Sequence, residues 1–85
     1  MKSFTYTVQD PVGIHARPAG NLVKELKGFE SAITISGNGK SADAKKLMQV
    51  LQLGIKQGQE VVLTFEGADE ETAAAAAEAY MKEHL

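Results

Sequence analysis

The interval between apolar residues changes repeatedly along this chain, and the order of the changes limits the folds open to it. Phe4, Tyr6 and Val8 alternate with Ser3, Thr5 and Thr7, the period of a half-buried strand. Pro11 and Gly13 break that pattern into a loop. From Ala16 the interval lengthens. Ala16, Ala19, Leu22, Val23 and Leu26 share one face of an amphipathic helix that Gly28 closes. Ser31 to Ser36 returns to alternation, with Ile33 and Ile35 on one face. Gly37-Asn38-Gly39 is a hairpin turn, because Asn and Gly tolerate positive φ, and a short strand over Lys40–Ala42 follows it. Lys45 to Leu53 reads as a short helix ended at Gly54, and Val61, Leu63 and Phe65 as a strand stopped by Gly67. Asp69 is placed to N-cap a last helix, with Glu70 and Glu71 in its first turn and Lys82 and His84 near its end, all complementing the helix dipole. The Ala73–Ala77 run suits a helix packed closely on a sheet.

The order β-α-β-β-α-β-α, with one tight hairpin, predicts an α+β fold in which helices cover one face of an antiparallel sheet. A chain of 85 residues, 44 % hydrophobic, is expected to form one domain, 1–85, around one core. It has no cysteine, so disulfide and thiolate chemistry are excluded. The start of the chain has no apolar segment of a secretory signal, and no apolar run approaches transmembrane length. The expected location is therefore cytoplasmic, without membrane insertion.

The net charge is −2, unevenly spread. Residues 1–59 carry eight basic side chains against four acidic ones, whereas residues 60–85 carry Lys82 against seven acids. This predicts a basic working face and an acidic far side. The basic excess is modest and suits an acidic protein or a phosphate better than a nucleic-acid backbone.

The chemistry concentrates in Gly13-Ile14-His15-Ala16-Arg17-Pro18-Ala19. A histidine stands where a helix begins. An exposed imidazole with one unprotonated nitrogen can accept a phosphoryl group near neutral pH. With His15 as N-cap, Ala16, Arg17 and Pro18 fill the first turn. Pro18 has no amide, so the backbone donors facing an anion are those of Ala16 and Arg17. Arg17 is the only arginine in the chain, and its planar fork suits phosphate. The alternative is a polar cap on an ordinary surface. For His84 the expected role is only that of a dipole complement at a fraying end.

Leu47, Met48 and Leu51 share one side of the short helix, either as core or as an exposed, adaptable docking patch, while Val50, Leu53 and Ile55 fill the core. Lys24 and Lys27 are either solvated surface or a steering field for an acidic partner. Gly37-Asn38-Gly39 lacks the length and ending of a phosphate loop, and no cluster has metal-ligand spacing, so neither metal nor cofactor is expected. The competing readings are a small ligand-sensing module, a regulatory phosphorelay protein and a small acid–base enzyme. The last lacks a second catalytic group.

The heptad resembles the active-site signature of HPr, the histidine-containing phosphocarrier family of the bacterial phosphoenolpyruvate-dependent sugar phosphotransferase system. Lys45-Lys46-Leu47-Met48 running to Leu53-Gly54-Ile55-Lys56-Gln57-Gly58 is similar to the family's second-helix region, and Gly67-Ala68-Asp69-Glu70-Glu71 to the start of its last helix. The resemblance spans the chain. It implies an open-faced β-sandwich, a four-stranded antiparallel sheet with three helices on one side. It also implies a carrier and not an enzyme: enzyme I delivers a phosphoryl group to Nδ1 of His15, Arg17 stabilises it, and the A domain of an enzyme II receives it. The implied docking surface comprises Ala16, Gly20, Lys24, Lys27, Leu47, Met48 and Leu51 on a monomer. Two departures stand out. Pro11-Val12 replaces the small polar residue or glycine common before the signature, removing a hydroxyl donor. Lys46 occupies the position of the family's regulatory serine.

Overall fold

The computed structural model describes residues 1–85. Seven elements follow in the order β1 (Lys2–Thr7), α1 (Ala16–Leu26), β2 (Ala32–Gly37), β3 (Lys40–Asp43), α2 (Leu47–Gln52), β4 (Glu60–Glu66) and α3 (Glu70–His84). The strands form one sheet in the order β1-β4-β2-β3, with every neighbouring pair antiparallel. This is the antiparallel sheet covered by helices that the element order predicts, in the open-faced form that the family resemblance implies. Its logic is the period-two pattern: Ile33, Ile35, Val61, Leu63 and Phe65 are buried toward the helices, while Ala32, Thr34 and Val62 face solvent. Phe4 of the edge strand stacks on Phe65, with ring centroids 5.8 Å apart.

The helices supply the other half of the core. Ala19, Leu22, Val23 and Leu26 of α1 are buried, and so are Ala73, Ala74, Ala77 and Met81 of α3. Alanines let α3 lie close on the sheet. Ala16, grouped with the apolar stripe by spacing, is exposed, because the stripe meets the core only from the second turn. The β2–β3 hairpin pairs Gly37 with Lys40, leaving a two-residue turn at Asn38 (φ 53°) and Gly39 (φ 74°). Both positive φ angles match the right-handed twist of the strands. The Asn38 side chain also donates to the Leu53 and Gly54 carbonyls, tying the hairpin to the end of α2.

Three local expectations change. The second helix starts at Leu47 and not Lys45, because Asp43 forms a turn first. Its carbonyl accepts the Lys46 amide at 3.0 Å and its carboxylate accepts the Lys45 amide at 2.9 Å. The Lys45 ammonium donates to the Phe29 carbonyl at 2.6 Å, so it braces the fold and is not a free surface charge. Asp69 occupies the N-cap position of α3, but its side chain makes no cap bond. It reaches instead to the start of β2, accepting the amides of Glu30 and Ser31 at 2.8 and 2.9 Å and the Ser31 hydroxyl.

Candidate functional site

The loop before α1 is built by Asp10-Pro11-Val12-Gly13. The Asp10 carbonyl accepts the Gly13 amide at 2.9 Å and its Oδ1 accepts the Val12 amide at 2.8 Å. Aspartate at the first position and proline at the second are the residues such a turn favours. Gly13 then takes φ 81°, and a Cβ there would collide with the Ile55 carbonyl and lie 2.8 Å from Lys56 Cα. This close approach lets the Ile14 amide donate to the Ile55 carbonyl at 3.0 Å and sinks the Ile14 side chain into the core. The next residue is thereby fixed at the surface.

That residue is His15, the N-cap of α1, with extended φ −119° and ψ 175°. Its carbonyl accepts the Ala19 amide at 3.0 Å, while its side chain makes no cap bond. The ring is thus free of the helix end and 39 % exposed. The first-turn amides of Ala16 and Arg17 have no acceptor within the helix, as the geometry of any helix start requires. Pro18 has no amide to offer. Arg17 is exposed and lines the same surface concavity as His15. The arrangement can hold a nucleophilic nitrogen, two backbone donors and a guanidinium around one small anion.

The sequence reading missed four residues here. His15 and Arg17 line a shallow concavity of about 340 Å³ together with Asp10, Pro18, Asn21, Tyr80 and His84. Asp10 Oδ2 lies 3.8 Å from His15 Nε2. Tyr80 donates its hydroxyl to the Pro18 carbonyl at 2.7 Å, and burial pushes its phenol pKa up, which keeps it a donor. His84 packs its ring 4.5 Å from the Tyr80 ring. It is therefore part of the His15 concavity and more than a dipole complement at a free end. The signals were present: Asp-Pro-x-Gly is a turn signature, and Tyr80 and His84 stand one helical turn apart. Their proximity to His15 depends on how α3 crosses the sheet, which no local pattern encodes.

The expected docking residues fall into two grades. Met48 is 67 % exposed, whereas Leu47 and Leu51 are half-buried against the core. Of the two roles open to Leu51 from the sequence, core or exposed patch, it takes part of each: one side packs on the core and the rest is open. Leu47 reaches α1 beside Gly20, where an added Cβ would sit 3.9 Å from its Cδ2. Ala16 and Lys24 are exposed on α1, and Lys27 is exposed at its C-cap. Lys46 is the exposed N-cap of α2.

Comparison with known proteins gives a consistent result. The family model described as the PTS HPr component phosphorylation site matches residues 2–83. The phosphocarrier protein HPr of Lysinibacillus sphaericus is 45 % identical over 73 residues, spanning 86 % of this chain and 83 % of that protein. HPr of Mycoplasma pneumoniae is 39 % identical over 85 residues, spanning 99 % and 97 %. A solved Mycoplasma histidine-containing phosphocarrier protein superposes with a TM-score of 0.94 at 38 % identity, covering 96 % of this chain and 93 % of that one. With fold, loop geometry and these matches in agreement, the chain belongs to the HPr family, the phosphocarrier proteins of the phosphotransferase system.

Proposed function

We propose that this protein carries its phosphoryl group on Nδ1 of His15, taking it from phosphorylated enzyme I and passing it to the A domain of a sugar-specific enzyme II. The observation that carries the reading is the half-exposed His15 ring, held at the N-cap of α1 but not spent on capping it. The amides of Ala16 and Arg17 and the Arg17 guanidinium stand ready for the charge that transfer develops. In this reading the protein is a covalent relay and a cytoplasmic monomer. Ala16, Gly20, Lys24, Lys27, Leu47, Met48 and Leu51 form the surface on which both partners dock in turn. Arg17 binds the phosphoryl oxygens while the group moves, and Lys46 removes the serine through which a kinase would regulate it.

The test is incubation with enzyme I and labelled phosphoenolpyruvate. One acid-labile, base-stable adduct per chain is expected, absent from a folded His15→Ala variant. Full labelling of that variant would place the carrier site elsewhere.

A further inference from the structure

The carrier reading leaves unexplained why an acidic residue stands beside a site that must hold a phosphate. Asp10 is not a mobile side chain. Its Oδ1 accepts the Val12 amide at 2.8 Å, its amide donates to the Leu85 main-chain oxygen at 2.8 Å, and its carbonyl closes the turn on Gly13. With one carboxylate oxygen committed to the turn, the other faces His15 Nε2 at 3.8 Å. The pair is half-shielded, with the aspartate side chain 24 % and the histidine 39 % exposed. Asp10 therefore addresses one named nitrogen of the ring and leaves Nδ1 to the incoming group.

We propose that Asp10 is a positioning residue that holds the His15 proton on Nε2 while the phosphoryl group arrives at and departs from Nδ1, an inference that rests on the carrier reading above. A negative charge beside Nε2 favours the tautomer protonated there and so leaves the lone pair on Nδ1. On acceptance, that lone pair forms the N–P bond as the bond from phosphorus to the donor atom breaks, the electron pair of the broken bond leaving with the donor. The Nε2 proton stays in place and the ring becomes cationic. On release, the N–P bond breaks and its electrons return to Nδ1, restoring a neutral ring that still carries its Nε2 proton. No proton is lost or gained over the cycle. The carboxylate stabilises the cationic ring from the side opposite phosphorus, where it faces the proton and not the phosphate oxygens. Arg17, which makes no ion pair, is left free for those oxygens.

The experiment uses the full chain as wild type, Asp10→Asn and Asp10→Ser. Both variants keep an oxygen that can accept the Val12 amide, so the turn is retained while the charge is removed. With the ring neutral, its nitrogen-15 shifts are expected to show a smaller Nε2–H population in both variants. Phosphoryl acceptance from enzyme I should slow by about two- to fivefold, the range a single partly exposed charge supplies. The difference from wild type should shrink as salt is raised. Unchanged ring shifts in both variants would overturn the proposal, whether or not the rate fell, because a slower rate alone would mark a loop effect. Failure here leaves wild type labelled at His15, whereas failure of the carrier reading leaves wild type unlabelled and overturns both.

Discussion

Gly13 controls where His15 stands. Its positive φ and the missing Cβ let the loop touch the Ile55–Lys56 backbone, and the Ile14 amide uses that approach. Gly13→Ala should therefore destabilise the protein by roughly 2–4 kcal/mol, the sum of left-handed strain and a backbone collision, measured by urea unfolding. A loss below the noise would mean the loop moves away at no cost. Asp69 makes a second prediction. The Ser31 hydroxyl and then the Glu30 amide hold its carboxyl below the usual range. The folded pKa thus lies under the unfolded one, so this stabilisation is complete above the ordinary carboxylate range. It drains away as pH falls through the lowered folded value. Asp69→Asn should melt lower at neutral pH and lose less on acidification than wild type; parallel melting curves down to strongly acid pH would refute the assignment. Gly13 was legible as a loop breaker because the signal is intrinsic to glycine. The partner of Asp69 was not, since Glu30 and Ser31 reach it only after β2 and α3 meet across 38 or more residues.

Among the elements, α1 was readable from its apolar stripe, long enough to separate helix from strand, and α3 from its alanine run and the acidic and basic residues at its two ends. α2 was harder. Its six residues carry two turns at most, and the preceding Asp43 turn takes the two lysines that spacing assigned to the helix. The same device, an aspartate whose oxygens accept the next amides, precedes both α1 and α2. The rotation of α2 about its axis also sets what its surface can do. Val50 is buried, Leu47 and Leu51 are half-buried, and Met48 is open. On the proposed docking surface, Met48→Glu is therefore expected to change stability by no more than about 0.5 kcal/mol yet weaken binding of enzyme I and the enzyme II A domain by about tenfold, the effect of losing a central contact. Leu51→Glu should weaken binding too but cost about 1–2 kcal/mol of stability, because it withdraws area from the core. Titration calorimetry with each partner, paired with denaturant curves, separates the two. Equal stability loss in both variants would mean that α2 shares its burial evenly.

Across the whole molecule, the charge read from the sequence is not simply a basic face opposed to an acidic one. Lys45 is tied to the Phe29 carbonyl, and the acid-rich end of the chain brings Tyr80 and His84 to the His15 concavity. The free cations near the proposed docking surface are Lys24 on α1, Lys27 at its C-cap and Lys46 at the start of α2, all exposed. Lys46 thus works without its neighbour Lys45, whose ammonium is held by the Phe29 carbonyl. A phosphoserine there would bring roughly −1.5 to −2 charge beside Leu47 and Met48, opposing an acidic partner, while lysine supplies a permanent positive charge. The carrier is expected to stay competent for transfer whatever the activity of an HPr-specific serine kinase. Treatment with that kinase and ATP should give no phosphoserine by mass spectrometry. Ser41, the nearest hydroxyl upstream, is exposed but sits within β3 and bonds Ser36 across the hairpin at 3.1 Å, so it does not stand where a kinase reading the start of α2 would find its serine. Stoichiometric modification at Ser41 would overturn the expectation. Lys46→Ser restores a hydroxyl at an exposed helix start, where the phosphate would also meet the positive end of α2. If the surrounding surface suits the kinase, this variant becomes a substrate and its modified form binds enzyme I more weakly. If it stays unmodified, the kinase must read residues beyond position 46, and more than one substitution separates this chain from a kinase substrate.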